Sequence, residues 1–464
     1  MIYMKKLSSR AITLLTLLLI LFNVTACRTN SMNTDSGASS AGYFDVIIES
    51  SNSDVPSLDL GDIETIVDKD GEPYVTPQYD MRDQTVSFLS HWTPQVMTYV
   101  LSYMEKYKGP QVNCLTYPYG DCGMKLQAMV LAGNSPDVYK LRIGDLTTLL
   151  FNNVWSDVTN DFDWDNRNWR DLKPFMQYVT INDKILAAPE VNTNQMIWFN
   201  KSIFQEYGIE DPLQLYERGE WNLDNFDYIC RRLTVREGGN TVIYGFAPSY
   251  QFFNDLIGMW DTNLALFENG RYISNTDDPK IADVVSYVNQ MCAVEKTWCD
   301  IDKACAYFAS GKVAMLYYGN WLGESEPFRS MNFGGKIDLV PLPDRPENGL
   351  GPRQDYYVEG HAIPVGAVNR EGAKAFIEIF NYYKQSQEED LETTKKDLEH
   401  GGLTVDQFFR YRSCRYYKNP FTALILSDWS FIFNRAMKGE SWYEIKGDFD
   451  ARQNLVIDSL PQMN

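Results

Sequence analysis

Apolar and polar positions divide the chain into stretches of different character. Lys5, Lys6 and Arg10 precede an apolar stretch from Ala11 to Phe22, which ends at Asn23. A membrane-crossing helix needs roughly 20 apolar residues, so this shorter run with its basic flank predicts a secretory signal peptide over 1–26. From Cys27 to Gly42 the residues are small and polar, with too little apolar surface to fold, and they predict a flexible tether. A polar segment continues to Gln84. Beyond it, period-two runs alternate with helical ones. Thr85-Val86-Ser87-Phe88-Leu89 predicts a strand and Pro94 to Lys106 a helix, with Pro94 suited to its first turn. Gln111-Val112-Asn113-Cys114-Leu115 predicts a second strand, about Asp121 to Leu131 a second helix, and Asp137-Val138-Tyr139 a third strand. This alternation implies parallel strands joined by right-handed crossovers, an α/β domain.

Composition and chemistry narrow the setting. The 464 residues carry a formal charge of −20, and removal of Lys5, Lys6 and Arg10 with the signal makes the mature chain more negative by three. Nucleic acid is therefore excluded as a partner, because its phosphates would be repelled. The acidic balance keeps a surface protein soluble and says nothing about fold. The length beyond the tether suits two or three domains. An aromatic share of 14% leaves Trp and Tyr for a binding cleft as well as for cores.

Val24-Thr25-Ala26 directly before Cys27 resembles the bacterial lipobox. The resemblance implies cleavage before Cys27 and acylation of the new N-terminus, with each buried CH₂ holding the chain to the membrane by about 0.8 kcal/mol. Ordinary secretion beside a chance cysteine is the alternative. Seven further cysteines, at 114, 122, 230, 292, 299, 305 and 414, leave at least one thiol unpaired in a monomer. Cys114 and Cys122 flank a Tyr-Pro-Tyr-Gly-Asp turn at a spacing that can close a small loop, and Cys292, Cys299 and Cys305 crowd one segment; connectivity stays open. With no CxxC and only His91, His361 and His400, neither a structural zinc site nor any other cofactor is expected.

Several ordered blocks carry a family resemblance. Gln127-Ala128-Met129-Val130-Leu131-Ala132-Gly133-Asn134-Ser135-Pro136-Asp137-Val138 is similar to "AGxxPDV". Ala188-Pro189 and then Trp198-Phe199-Asn200-Lys201-Ser202-Ile203-Phe204-Gln205-Glu206-Tyr207-Gly208-Ile209 are similar to "YNKxxFxxxGI". Trp221-Asn222-Leu223-Asp224-Asn225-Phe226 stands where relatives have "TWDEF". Phe308 to Met315 with Tyr318-Gly319-Asn320-Trp321 resembles "FxxGKxAMxxxGxW", and Pro341-Leu342-Pro343 and Gly360-His361-Ala362-Ile363-Pro364 follow in order. Together they resemble the extracellular solute-binding proteins of carbohydrate ABC importers, the group that includes maltose-binding protein, from Thr85 to Tyr383. Residues 43–84 are longer than the usual family N-terminus, either a tether extension or a strand laid on the first domain, and the tail from Gln385 diverges.

The resemblance implies an α/β, two-lobed, periplasmic-binding-protein-like (type II) fold, with a solute cleft between lobes joined by hinge strands. Crossings are expected near Glu190–Gln195, Leu316–Asn320 and Tyr357–His361. They would give 85–190 with 321–356 as lobe I and 191–320 with 357–464 as lobe II. Implied partners are a carbohydrate ligand, the permease subunits of an ABC transporter and, through the lipid, the membrane, for a monomeric protein on the extracytoplasmic side.

Loops after strands supply the candidate contacts, since open α/β sheets bind ligands beyond their carboxyl ends. Trp92 follows the first strand and either meets the ligand or packs in its lobe; the neighbouring His91 reads as structural. Arg142 and Asp145 follow the third, as donor and acceptor for hydroxyls or as a solvated pair. Asn194 and Gln195 flank the first crossing and offer amides to the ligand or to hinge backbone. Tyr250 and Trp260 lie on an irregular aromatic stretch that serves either the cleft or a core. Trp321 aligns with the family's cleft tryptophan. Tyr356, Tyr357 and Glu359 are rim candidates beside the third crossing.

A glycan-cleaving enzyme is the rival class, since paired carboxylates are common among 62 acidic residues. GxSxG, HExxH and P-loop motifs are all missing, so no catalytic residue is assigned. A peptide, polyamine or metal cargo is the alternative within the binding class, and a surface adhesin a third reading.

Overall fold

The computed structural model describes residues 48–51, 65–68, 70–142, 145, 154–177, 179–192, 195–268, 271–345, 353–355, 357–387, 395–396, 398–399, 402–412, 415–417 and 429–459. Two sheets organise them. In the first the strand order is Ile48–Ser51, Gln111–Thr116, Thr85–Ser90, Val138–Leu141, Tyr357–Ala362, Ala188–Asn192. Its middle is parallel, with Val86 opposite Val112 and Phe88 opposite Val138. Helices Thr98–Lys106 and Cys122–Leu131 make the crossovers between these strands. Alternation along Thr85–Ser90 sends Val86 and Phe88 into an apolar cluster on one face and Leu89 into another on the opposite face. A parallel sheet covered by helices has to be apolar on both faces, and this one is.

The second sheet runs Ile337–Val340, Gln195–Asn200, Val313–Gly319, Asn240–Ala247, Val235–Glu237. Met196 and Trp198 face one cluster, while Ile197 and Phe199 face the other. The strand ends as the block beginning Trp198-Phe199-Asn200 requires. Asn200 adopts an extended backbone and its side chain accepts the Ser202 N–H at 3.1 Å, starting helix Lys201–Tyr207. Gly208 then closes that helix at φ +61°, a left-handed conformation that glycine adopts without steric penalty.

The chain leaves the first sheet at Asn192, enters the second at Gln195, and is back in the first at Tyr357. The crossing expected at Leu316–Asn320 does not occur. After Gly319 the chain makes a 3₁₀ turn over Asn320–Glu324 and a helix over Phe328–Phe333, then rejoins the second sheet as Ile337–Val340, pairing Ile337 with Asn200 and Val340 with Ile197. Leu322, Phe328, Ile337 and Leu339 share a cluster with Trp198. The expected lobe membership of 321–340 and 357–386 is thus reversed, whereas the tail from Val405 stands in the second lobe as expected. Tyr357–Ala362 belongs to the first sheet, and helix Arg370–Ser386 packs Phe376 and Phe380 into the cluster of Phe88. From Val405 the tail returns to the second lobe, with Phe408 near Trp198, and Ile432, Phe433, Ile445 and Phe449 in its main core. An apolar strand pattern tells which side chains turn inward but not which free sheet edge the strand will fill.

The described residues before Thr85 are laid on the first lobe. Ile48–Ser51 pairs antiparallel with Gln111–Thr116 at the sheet edge. Tyr74 is buried, Arg167 bonds both Asp68 and the Tyr74 hydroxyl, and the Asn168 amide exchanges hydrogen bonds with the backbone of Val75. Cys114 and Cys122 are free thiols in clusters on opposite faces of the first sheet, so the small loop is not closed by them. Cys27 and Cys414 lie outside the residues whose side chains are described.

Candidate functional site

Strand direction decides which loops meet. Thr85–Ser90, Gln111–Thr116 and Val138–Leu141 are parallel, so their carboxyl ends share one edge of the first sheet. Tyr357–Ala362 runs against them and starts at that edge; Ala188–Asn192, antiparallel to it in turn, ends there. In the second sheet Asn240–Ala247 and Val313–Gly319 are parallel and end together, where the antiparallel Gln195–Asn200 begins with Gln195 opposite Gly319. Three backbone steps from Asn192 to Gln195 span at most about 11 Å. The two carboxyl edges are therefore tied close together.

On the first edge Trp92 is half-buried. Its ring stacks on Phe380 at 6.1 Å and 18°, and the Lys140 ammonium lies 4.8 Å from the ring centre. The backbone of its loop is pinned by Ser90 Oγ, which accepts the Trp92 N–H at 3.1 Å, and by Thr116 Oγ1, which donates to the Trp92 carbonyl at 2.9 Å. Lys140 is fully buried between Glu190, which accepts a short hydrogen bond from it, and Glu359 at 3.3 Å. Burial by itself would raise the Glu190 carboxyl, but the Lys140 charge beside it holds it down to about 2. Burial opposes the Lys140 charge as well, yet the two carboxylates raise its affinity for the proton. His361, next to them, is pulled down to about 3 by burial and by Lys140, so it is neutral at pH 7.

Arg142 and Asp145 form a buried pair. Asp145 accepts from Arg142 Nε at 2.7 Å, from its Nη2, from its backbone N–H at 3.2 Å and from the Tyr139 hydroxyl at 2.5 Å. The Arg142 guanidinium also lies over the ring of Tyr119, 4.4 Å from its centre. His91 meets the same ring edge-on at 4.9 Å.

On the second edge Trp321 is 37% exposed and Tyr250, which opens helix Tyr250–Met259, is 36% exposed. The Trp321 indole sits on the backbone of Gly319, with Tyr318 edge-on at 5.9 Å. Trp198 holds the same turn from below, its Nε1 donating to the Gly319 carbonyl at 3.2 Å.

The fold thus brings Trp92, Arg142, Asp145 and Glu359 to one edge and Gln195, Tyr250 and Trp321 to the other. Trp260 is placed elsewhere, at 6% exposure in the second lobe's core against Tyr287, with Arg345 4.1 Å above its ring. Asn194 and Tyr356 lie outside the described residues, and Tyr357 is described only through its backbone pairing with Asn192. Two residues of the rim carry no expectation from sequence, Lys140 and Tyr119. Tyr119 follows the second strand, so the carboxyl-end rule that selected Trp92 and Arg142 points to it too. Lys140 lies within a strand that reads as apolar core, and only the pairing of Val138–Leu141 with Tyr357–Ala362 shows its carboxylate partners. Among the described residues no group of His, Cys, Asp and Glu is placed to hold a metal.

Comparison with known proteins gives the same architecture. An uncharacterised ABC transporter extracellular-binding protein of Pyrococcus horikoshii is 26% identical over 275 residues, 55% of this chain and 56% of that protein, so the match spans about half the length of this curated relative. The GacH receptor of Streptomyces glaucescens, solved unliganded and with acarbose and an acarbose homolog, has a TM-score of 0.62 at 15% identity, over 82% of this chain and 99% of that one. The maltose/maltodextrin-binding domain MalE of Bdellovibrio bacteriovorus, bound to maltotriose, has a TM-score of 0.59 at 12% identity, over 81% and 100%. At such identities the likeness shows the fold alone, a two-lobed α/β fold of type II. The family model describing a bacterial extracellular solute-binding protein matches residues 83–380, and the chain belongs to that family of extracytoplasmic proteins.

Proposed function

We propose that the protein is the solute-binding subunit of an ABC importer and captures a sugar or oligosaccharide between its lobes, releasing it unchanged to the permease. The observation that carries this reading is the pair of carboxyl edges tied by the short Asn192–Gln195 link, each presenting aromatic and polar side chains. Polar groups from two lobes surround a solute only on closure, and closure can report occupancy to a transporter. Trp321 offers a flat apolar surface to a sugar ring, and Gln195, Tyr250, Trp92 and Glu359 are the neighbouring contacts we assign. The named ligands of the structural neighbours, maltotriose and acarbose among them, favour carbohydrate over peptide, polyamine or metal. An acylated Cys27 would hold the monomer at the outer face of the membrane.

A thermal-shift screen with maltotriose, mannobiose, acarbose and tagatose tests the cargo. A sugar at 100 times its Kd stabilises the native state by about 2.7 kcal/mol, a readable melting shift. Shifts with peptides or polyamines alone would replace the cargo class. Chromatography of the bound sugar after long incubation tests turnover, and protein-dependent cleavage products would make it an enzyme.

A further inference from the structure

We propose that Tyr119 is a saccharide-stacking platform of the first lobe, and that Arg142 and Asp145 are positioning residues that hold it. The proposal rests on the sugar-binding reading above and names a contact and a support that this reading leaves open.

Tyr119 lies in the turn Tyr117-Pro118-Tyr119-Gly120 beyond the strand Gln111–Thr116, on the edge that also carries Trp92 and Glu359. Its side chain is 49% exposed, yet it is fixed on two sides, by the Arg142 guanidinium at 4.4 Å and the His91 ring at 4.9 Å. An aromatic ring already held in its binding orientation loses little conformational freedom when a ligand arrives. A pyranose has flat C–H faces and hydroxyls around its rim. The C–H face suits a tyrosine ring, and the hydroxyls remain for the polar groups of the cleft.

The support continues behind the ring. Arg142 is 6% exposed, and its Nε and Nη2 donate to Asp145. Asp145, 5% exposed, has taken four hydrogen bonds from Arg142 and Tyr139. It lies against the first turn of helix Cys122–Leu131, where the partial positive charge of the helix N-terminus favours a carboxylate. Gly123 leaves room for it, since a Cβ there would stand 2.8 Å from Asp145 Oδ1. Two groups so occupied are poorly placed to bond a passing solute, and well placed to keep a guanidinium over the ring of Tyr119. Lysine cannot replace that arginine, because an ammonium has no planar face to stack.

Calorimetric titration of the intact protein with maltotriose, mannobiose and acarbose tests both parts through a double-mutant cycle. Tyr119→Ala should weaken binding about threefold to tenfold with an unchanged melting temperature, and Tyr119→Phe should bind as the wild type does. Arg142→Lys should weaken binding in the wild-type background and have no further effect in Tyr119→Ala, because the arginine acts through the ring. Equal losses for Arg142→Lys in both backgrounds would make Arg142 a direct contact and overturn its positioning role. Unchanged affinity in Tyr119→Ala would overturn the platform and leave the sugar reading standing. No saccharide binding by the wild type would overturn both.

Discussion

The indole of Trp321 lies across Gly319, so close that a Cβ on Gly319 would stand 2.3 Å from two of its ring carbons. Gly319 has φ −65° and ψ 157°, a backbone any residue adopts, so the position needs glycine for space and not for conformation. Gly319→Ala should therefore push the indole off its seat. The expected result is a loss of saccharide affinity of up to about tenfold, no larger than that of deleting the indole, with little change in stability, read by titration and a denaturant melt of the same variant. Unchanged affinity would mean that the seat of Trp321 is irrelevant to binding.

Trp321 itself is more than a third exposed, which sets it apart from the buried tryptophans of the cores. Trp321→Ala should weaken binding about tenfold and Trp321→Phe less, since stacking needs a flat aromatic surface. A buried tryptophan cut to alanine would instead cost about 3–5 kcal/mol of stability, and a loss of that size with affinity intact would move Trp321 into the core.

Lys140 stands between Glu190 and Glu359 with no exposure of its own. Lys140→Met leaves two carboxylates facing each other without the cation between them, and should cost about 3–5 kcal/mol in urea unfolding. Adding Glu190→Gln should recover part of the loss. If the double variant is no more stable than the single one, the triad is not the origin of the cost.

Asp227 gives a test with the opposite sign to the usual acid. Burial pushes its carboxyl up to about 6, against the Tyr287 hydroxyl, which donates to it at 2.6 Å, and nearby Arg231. The native state thus holds this proton more tightly than the unfolded chain. The group contributes stability below about pH 4 that is lost as pH rises through about 6, on the order of 3 kcal/mol. Asp227→Asn should be more stable than wild type at pH 7 and equal to it near pH 4. A difference that does not change between those two values would refute the assignment.

Anchoring is tested at Cys27. Cys27→Ser should abolish labelling by a fatty-acid analogue in the native host and leave the protein as uncleaved precursor. Equal labelling of variant and wild type would remove the lipid anchor from the proposal.

Local rules were enough for the elements and for part of the site. The strand Thr85–Ser90 and the helices Thr98–Lys106 and Cys122–Leu131 depend on neighbours within a few residues, through side-chain alternation and helical spacing, whereas the place of the first crossing came from the family resemblance. The carboxyl-end rule put Trp92 at an edge position, the family alignment did so for Trp321, and Tyr250, open between cleft and core in the sequence, stands at the second edge. It left open whether Arg142 and Asp145 face a solute or each other. A charged pair three residues apart reads the same in sequence whether water or a tyrosine ring lies beside it.

What the tertiary structure decided was long-range pairing. Ile337–Val340 fills the free edge beside Gln195–Asn200, and Tyr357–Ala362 sits between Val138–Leu141 and Ala188–Asn192, so residues 321–340 and 357–386 exchanged lobes relative to expectation. Trp260 went to a core and Lys140 to a buried triad for the same reason. Amphipathic period and turn chemistry are properties of adjacent residues and can be read along the chain. Which of two equivalent sheet edges a strand completes, and which carboxylates then surround a lysine, depends on contacts between residues hundreds of positions apart, whose energies are summed only in the folded state.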